Sequence, residues 1–259
     1  MNRAPHTGHE GTHRSGGDGM TQPTVHVLPD PAAVCNALAR AFVRAVRETP
    51  ATRPFRVALA GGATSEALYR LLADRYRSAV SWPRVSFFWS DERWVPPDDS
   101  ASNHAAARRC LLDPLEIGRE QVHPVPTWLA DPAAGASAYE RTLAEGVEDG
   151  TPPLDWVLLG LGEDGHTASL FPGALALAER QRWVLGIEDS PKPPPQRVTL
   201  TWPLIGRARA VHLLAVGASK QRAVEDGVAA ATDLARYPTH GLRLGAAAAH
   251  WWLDDASAP

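Results

Sequence analysis

From about residue 23 the chain alternates between short apolar runs and segments whose apolar positions recur at helical spacing. Asp30 followed by Pro31 reads as a helix start, with Val34, Leu38, Phe42 and Val46 falling one turn apart behind it. Phe55 to Ala60 (FRVALA) is a short apolar run closed by Gly61-Gly62, after which Leu68, Leu71 and Leu72 mark a second amphipathic helix. The alternation continues with a strand over 85–89 (VSFFW), a polar loop, helices near 104–112 and 132–148, and a strand over 156–162 (WVLLGLG). It closes with strands over 198–201 and 210–216, a helix from about Ser219 and a strand-like HWWLD at 250–254. Asn103, just ahead of the Ala-rich helix, reads as a helix cap.

Strands that are apolar on both faces and separated by helices predict an α/β fold: a mostly parallel central sheet, Rossmann-like, with helices on both faces. In such sheets ligands bind at the carboxyl ends of the strands. Residues 1–22 are almost devoid of apolar side chains and are expected to form a disordered tail, leaving 23–259 as a single α/β domain. The only linker-like stretch, SPKPPP at 190–195, is too short to divide it.

Composition narrows the function class. A formal charge of −3 offers no field suited to nucleic acid. Cys35 and Cys110 lie in segments that read as helix without metal-ligand spacing, and His6, His9 and His13 in the tail lack completing ligands, so no metal site is expected. No apolar run suits a membrane span or a signal peptide, and a cytoplasmic location with no membrane partner is expected.

The candidate chemistry lies in three loops that follow strands. Gly61-Gly62-Ala63-Thr64-Ser65 joins a strand to a helix and would point free backbone N–H groups and a positive helix end at an anion; a plain turn capped by Thr64 or Ser65 is the alternative. It is neither a Walker loop nor a GxGxxG fingerprint, so no nucleotide is implied. Asp91-Glu92-Arg93 follows the VSFFW strand. Arg93 could hold a phosphate and Asp91 accept from sugar hydroxyls, or the loop could carry only an internal salt bridge. Glu163-Asp164-Gly165-His166 follows the WVLLGLG strand. A carboxylate two residues before a histidine can fix the imidazole tautomer and leave the other nitrogen as a general base.

With AGGATSEALYRLLA (60–73), FFWSDERWVPPDDSASNHAAARRCLL (87–112), DWVLLGLGEDGHTASLFPG (155–173), RVTLTWPLI (197–205) and LLAVGASKQRAV (213–224), the chain resembles the 6-phosphogluconolactonase family within the wider glucosamine-6-phosphate isomerase/deaminase fold. The resemblance implies hydrolysis of 6-phospho-D-glucono-1,5-lactone to 6-phosphogluconate in the oxidative pentose phosphate pathway, without metal or organic cofactor. It implies His166 as base, with Arg93 and Lys220 as phosphate or substrate contacts; Arg197 also matches the pattern. Asp164 or a backbone carbonyl would orient the ring, and backbone N–H groups of 163–167 are candidate oxyanion donors. Gly61, Gly62 and Thr64 would complete the substrate seat. The family usually has Ser/Thr-Thr-Pro after the two glycines, so Ala63 lacks a hydroxyl contact.

The related deaminases read close to DGHIAFNEP, with an acid before the proline where this chain has Phe171 and a tyrosine where it has Arg93. A sugar-phosphate-sensing domain is the remaining alternative, but such regulators carry a DNA-binding helix pair, and only the short tail precedes residue 23. The expected partner is a small phosphorylated sugar lactone, and the expected assembly a monomer or weak homo-oligomer.

Overall fold

The computed structural model describes residues 22–148, 150–229 and 232–259. The expected tail therefore lies, apart from Gln22, outside the described residues. Nine strands are present among the described residues: β1 (Thr24–Leu28), β2 (Phe55–Leu59), β3 (Val85–Trp89), β4 (Asp91–Arg93), β5 (Trp156–Gly160), β6 (Val184–Ile187), β7 (Arg197–Leu200), β8 (Ala210–Ala215) and β9 (Ala248–Asp254). The helices are α1 (Pro31–Glu48), α2 (Ala63–Arg75), α3 (Asn103–Ala107), α4 (Pro132–Ala144), the single turn α5 (Trp202–Ile205) and α6 (Gln221–Val228).

Six strands form one wholly parallel sheet in the order β1-β9-β8-β5-β2-β3. From β2 the chain steps outward to β3 and then returns to β5 on the other side, so the order reverses between β2 and β5. That is where loops leave the sheet in opposite directions and open a crevice above the carboxyl ends. Helices cover both faces. Phe42 of α1 packs edge-on against Trp156, which stacks on His212, whereas Gly227 of α6 sits against Trp251 of β9 on the opposite face. Among the described residues no helix is long and apolar enough to cross a membrane.

The first helix forms where its cap and spacing place it. Asp30 accepts from the Ala33 N–H (2.8 Å), Pro31 opens the first turn, and Val34, Leu38, Phe42 and Val46 are buried. Each large side chain so buried contributes roughly 1.5–3 kcal/mol to folding.

Several elements depart from the sequence expectation. The VTLT segment does not join the main sheet: β7 pairs antiparallel with both β4 and β6 in a separate three-stranded sheet. Asp91–Arg93, expected as loop, is thus a short strand, because its backbone groups find partners on β7 that local sequence could not announce. Strand β1 was likewise hidden, being half exposed at the edge and lacking a continuous apolar run. The helix expected over 104–112 is α3 followed by a wider π turn through Leu112, and its cap is Ser102, whose Oγ accepts from the Ala105 N–H (3.1 Å). Asn103 is the first helical residue.

Candidate active site

The loops that follow β2, β3, β5 and β8 meet above the crevice and enclose a cavity of about 450 Å³. Two buried tyrosines fix the ends of the strands that feed it. The Tyr69 hydroxyl donates to the Ala60 carbonyl (2.6 Å) and accepts from the Ala60 N–H (3.0 Å), and the Tyr139 hydroxyl bonds the N–H and carbonyl of Trp89 in the same way (2.6 and 3.1 Å). Backbone groups leaving a sheet inside a protein need such partners. Burial holds both phenols well above their ordinary range, so they remain neutral donors.

The turn after β2 is built from glycine for two reasons. Gly62 has φ +100, a conformation that costs other residues steric strain, and a Cβ on Gly61 would lie 2.0 Å from Asn103 Oδ1. Gly62 is the N-cap of α2 and no side chain caps that helix, so the free N–H groups of its first turn and the positive helix end remain for a ligand. Gly61 and Gly62 line the cavity, but Thr64 does not. Thr64 faces a separate groove of about 760 Å³ between α1 and α2, and its carbonyl accepts from Cys35 Sγ. The alternative of a turn capped by Thr64 or Ser65 does not hold, since the N-cap is Gly62, two and three residues earlier.

The Asp-Glu-Arg segment divides into three roles. Glu92, nearly enclosed, accepts from the N–H groups of Arg93, Asn103 and His104 (2.7–2.8 Å) and from Ser102 Oγ (3.0 Å), anchoring the start of α3. It forms no salt bridge with Arg93; burial pushes its carboxyl up, against the pull of these hydrogen bonds. Asp91 is buried, with Oδ2 accepting from Ser169 Oγ (2.7 Å) and Oδ1 from Asn103 Nδ2 (3.3 Å). These bonds tie it to the loop bearing His166 and to the start of α3, and the residue also lines the cavity, with acceptor capacity left on each oxygen. Arg93 donates to the Ala101 carbonyl (2.6 Å) and lines the cavity, as does Lys220 on the turn after β8. That turn is held by Asp254, which accepts from the Gly217 N–H (3.0 and 3.1 Å).

The loop after β5 carries the reactive pair. Thr167 Oγ1 donates to the Gly160 carbonyl (2.8 Å), and Gly162 N–H donates to the His166 carbonyl (2.8 Å), folding the loop back on its strand. Gly165 has φ +81 and Ala168 φ +48, the latter a left-handed position that costs a non-glycine residue roughly 1–2 kcal/mol. A Cβ at Gly162 would lie 2.0 Å from His166 Nδ1 and 2.4 Å from Asp164 Oδ1, so the pair exists in this arrangement only above a glycine.

His166 Nδ1 lies 2.5 Å from Asp164 Oδ1, and the ring stacks on Phe171 with centroids 4.4 Å apart. Burial tends to raise the Asp164 carboxyl, but hydrogen bonds and charge from His166 and Lys192 outweigh it and hold the pKa at about 2. The carboxylate therefore only accepts, which places the imidazole proton on Nδ1 and leaves the Nε2 lone pair facing the cavity. Burial lowers the His166 pKa from the ordinary 6.5, opposed by Asp164, so the ring is neutral at neutral pH.

Arg197 is 4% exposed, yet it also reaches the cavity. Its guanidinium donates to the carbonyls of Lys192, Pro193 and Pro194 (3.1–3.2 Å) and stands over Phe171. The stretch that read as a linker is in fact a wall of the site, and it delivers Lys192, whose Nζ lies 3.1 Å from Asp164 Oδ2. Sequence reasoning passed over Lys192; its place in a proline-rich run directly before the Arg197 strand was the only available signal.

Three of the five candidate oxyanion donors of 163–167 are bonded within the loop itself. The N–H groups of Gly165, His166 and Thr167 already point to Gly162 O, Asp164 Oδ1 and Leu170 O. Among the described residues no group of three or more His, Cys, Asp or Glu could hold a metal ion.

A sequence profile described as glucosamine-6-phosphate isomerases/6-phosphogluconolactonase matches residues 29–251. A 6-phosphogluconolactonase of Mycobacterium tuberculosis is 39% identical over 243 residues, covering 91% of this chain and 97% of its own length. One from Synechocystis is 44% identical over 190 residues, covering 72% of this chain and 77% of its own. The solved structure of 6-phosphogluconolactonase from Trypanosoma cruzi superimposes with a TM-score of 0.80 at 32% identity, over 92% of this chain and 97% of that one.

Proposed function

The chain belongs to the glucosamine-6-phosphate isomerase/6-phosphogluconolactonase family, and we propose that it is the lactonase, hydrolysing 6-phospho-D-glucono-1,5-lactone to 6-phosphogluconate in the oxidative pentose phosphate pathway. The observation that carries this reading is the neutral His166, oriented by Asp164, facing a cavity that also gathers Arg93, Lys192, Arg197 and Lys220. A small anionic ester meets in one place a base and a positive field.

In the proposed reaction the phosphate sits at the Gly61-Gly62 turn between Arg93 and Lys220, and this remote binding orients the ring. A water attacks C1 of the lactone while His166 Nε2 takes its proton. The negative charge that develops on the carbonyl oxygen is stabilised by the cations lining the cavity. Collapse then breaks the bond between C1 and the ring oxygen, which receives the proton from the imidazolium and becomes the hydroxyl of the product. Neither a covalent nucleophile nor a metal is required for an ester this activated.

The deaminase reading has less support. The position that carries an acid in the deaminase pattern is Phe171, whose ring stacks on His166, so that carboxylate is missing and the imidazole rests on an apolar surface.

Steady-state rates on phosphorylated and unphosphorylated gluconolactone, each corrected for spontaneous opening, test the assignment. The phosphorylated lactone is expected to be strongly preferred, and Arg93→Ala and Lys220→Ala to raise KM for it more than they lower kcat. Equal efficiency on the two lactones would overturn the phosphate seat.

A further inference from the structure

We infer that Lys192 is a positioning residue for the reaction: by gripping the second oxygen of Asp164 it keeps that carboxylate turned toward His166 and holds the imidazole available as a base. The inference rests on the lactonase reading for its meaning but on geometry for its content. Asp164 is shared between two partners, Oδ1 with His166 Nδ1 at 2.5 Å and Oδ2 with Lys192 Nζ at 3.1 Å. A carboxylate held at both oxygens loses a bond if it rotates away from either partner.

The lysine is itself delivered by a braced backbone. Ser190 N–H donates to the Pro195 carbonyl (3.0 Å), Ser190 Oγ bonds the carbonyl and N–H of Lys192 (3.0 and 3.3 Å), and Arg197 binds three consecutive carbonyls of the same loop. A loop this heavily tied, ending on an aliphatic stem that reaches across to a different strand end, spends its order on placing one ammonium group.

The electrostatic consequence has a definite sign. A carboxylate alone beside a histidine favours the imidazolium, which cannot accept a proton from water. The ammonium opposes this directly by its own charge and indirectly by drawing part of the Asp164 charge to itself. The remaining charged groups around the ring come from other elements: Asp91 from β4, which favours the imidazolium, and Arg197 from β7, which stands over the Phe171 ring. Arg93, Glu163 and Lys220 line the same cavity. Of all these only Lys192 touches the Asp164 carboxylate besides His166 itself.

The test is a titration of the His166 imidazole by NMR in the ligand-free protein, for the wild type, Lys192→Met and Lys192→Arg, with kcat/KM against pH measured on the same variants. Lys192→Met is expected to move the His166 midpoint to higher pH and the acid limb of kcat/KM with it, so that the loss of activity deepens as pH falls. Lys192→Arg, which keeps the charge, should return both toward the wild-type position. An unmoved midpoint in Lys192→Met, with KM raised and the pH profile unchanged, would overturn the inference and make Lys192 a plain substrate contact. Because the titration needs no turnover, a chain that fails to open the lactone would refute the functional reading without touching this one.

Discussion

Two histidines in this fold are both held neutral by burial, and only one of them can act as a base. His166 sits at the carboxyl edge of the sheet with Nδ1 bonded to a carboxylate and Nε2 open to a cavity. His212 lies inside β8, 4% exposed, stacked on Trp156 with centroids 3.4 Å apart and beside His250 at 4.9 Å. Its Nδ1 accepts from Trp252 Nε1 (3.0 Å), which puts the ring proton on Nε2, and that nitrogen is enclosed without a partner. Burial, and then the neighbouring His250 and His26, push its pKa well below 6.5. Neutrality alone therefore does not make a base. What separates the two rings is the carboxylate that assigns the tautomer and the open cavity left in front of the lone pair.

The largest effect that could break this contrast is at His166. His166→Asn keeps hydrogen-bonding capacity without basicity and is expected to lose roughly 10²–10⁴-fold in kcat after subtraction of spontaneous hydrolysis. Its unfolding free energy should change by no more than about 1 kcal/mol, since one side of the ring faces the cavity. A variant with near wild-type kcat would transfer the base role elsewhere.

The reverse pattern is expected at His212. Removing the ring in His212→Ala leaves a void against Trp156 and an unpaired Trp252 N–H, at a cost of about 2–4 kcal/mol measured by denaturant unfolding. The kcat per folded molecule should be unchanged. A kinetic defect without a stability defect would show that His212 serves the reaction rather than the core.

The smallest effect concerns pH. Burial lowers the pKa values of His26, His212 and His250 in the folded protein. Above the ordinary value of 6.5 both folded and unfolded chains are neutral at these rings and the stability is full. As pH falls below 6.5 the unfolded chain takes up protons that the folded cluster refuses, so stability declines until the depressed folded values are reached. Arg44 on α1 adds to the effect at His250. Thermal unfolding should thus shift to lower temperature between pH 7.5 and 5, and His212→Phe, which keeps a stacked ring without titrating nitrogens, should flatten that slope more than His166→Asn does. An unaltered slope would remove His212 from the acid response.

Much of the sheet was legible from the chain alone. β2, β3, β5, β8 and β9 announce themselves as apolar runs because a strand covered on both faces must be apolar on both sides. β1, β4 and β6 did not, being respectively an exposed edge, three polar residues and a short strand of the small sheet, none of which needs such a run. At the site the same division holds. Gly61, Gly62, Asp91, Arg93, Asp164, His166, Arg197 and Lys220 were singled out by their position after strands or by family pattern, and all but Asp164 line the cavity directly. Thr64 was placed by proximity to the glycines, but a helix turns each residue about 100° from the last, and its own turn carries it to the far side.

By itself, then, the sequence determined what is settled within a few residues. A glycine turn after a strand must expose N–H groups, and an aspartate two residues before a histidine across a left-handed Gly165 can reach its ring. Those outcomes follow from bond geometry and hard-sphere limits on φ and ψ, which act locally. Only the tertiary structure decided that Asp91 Oδ2 pairs with Ser169, 78 residues away, and that a proline-rich linker folds back to set Lys192 against Asp164. Contacts of that span depend on which strands become neighbours, and neighbours are chosen by the packing of the whole core rather than by any segment's own preference.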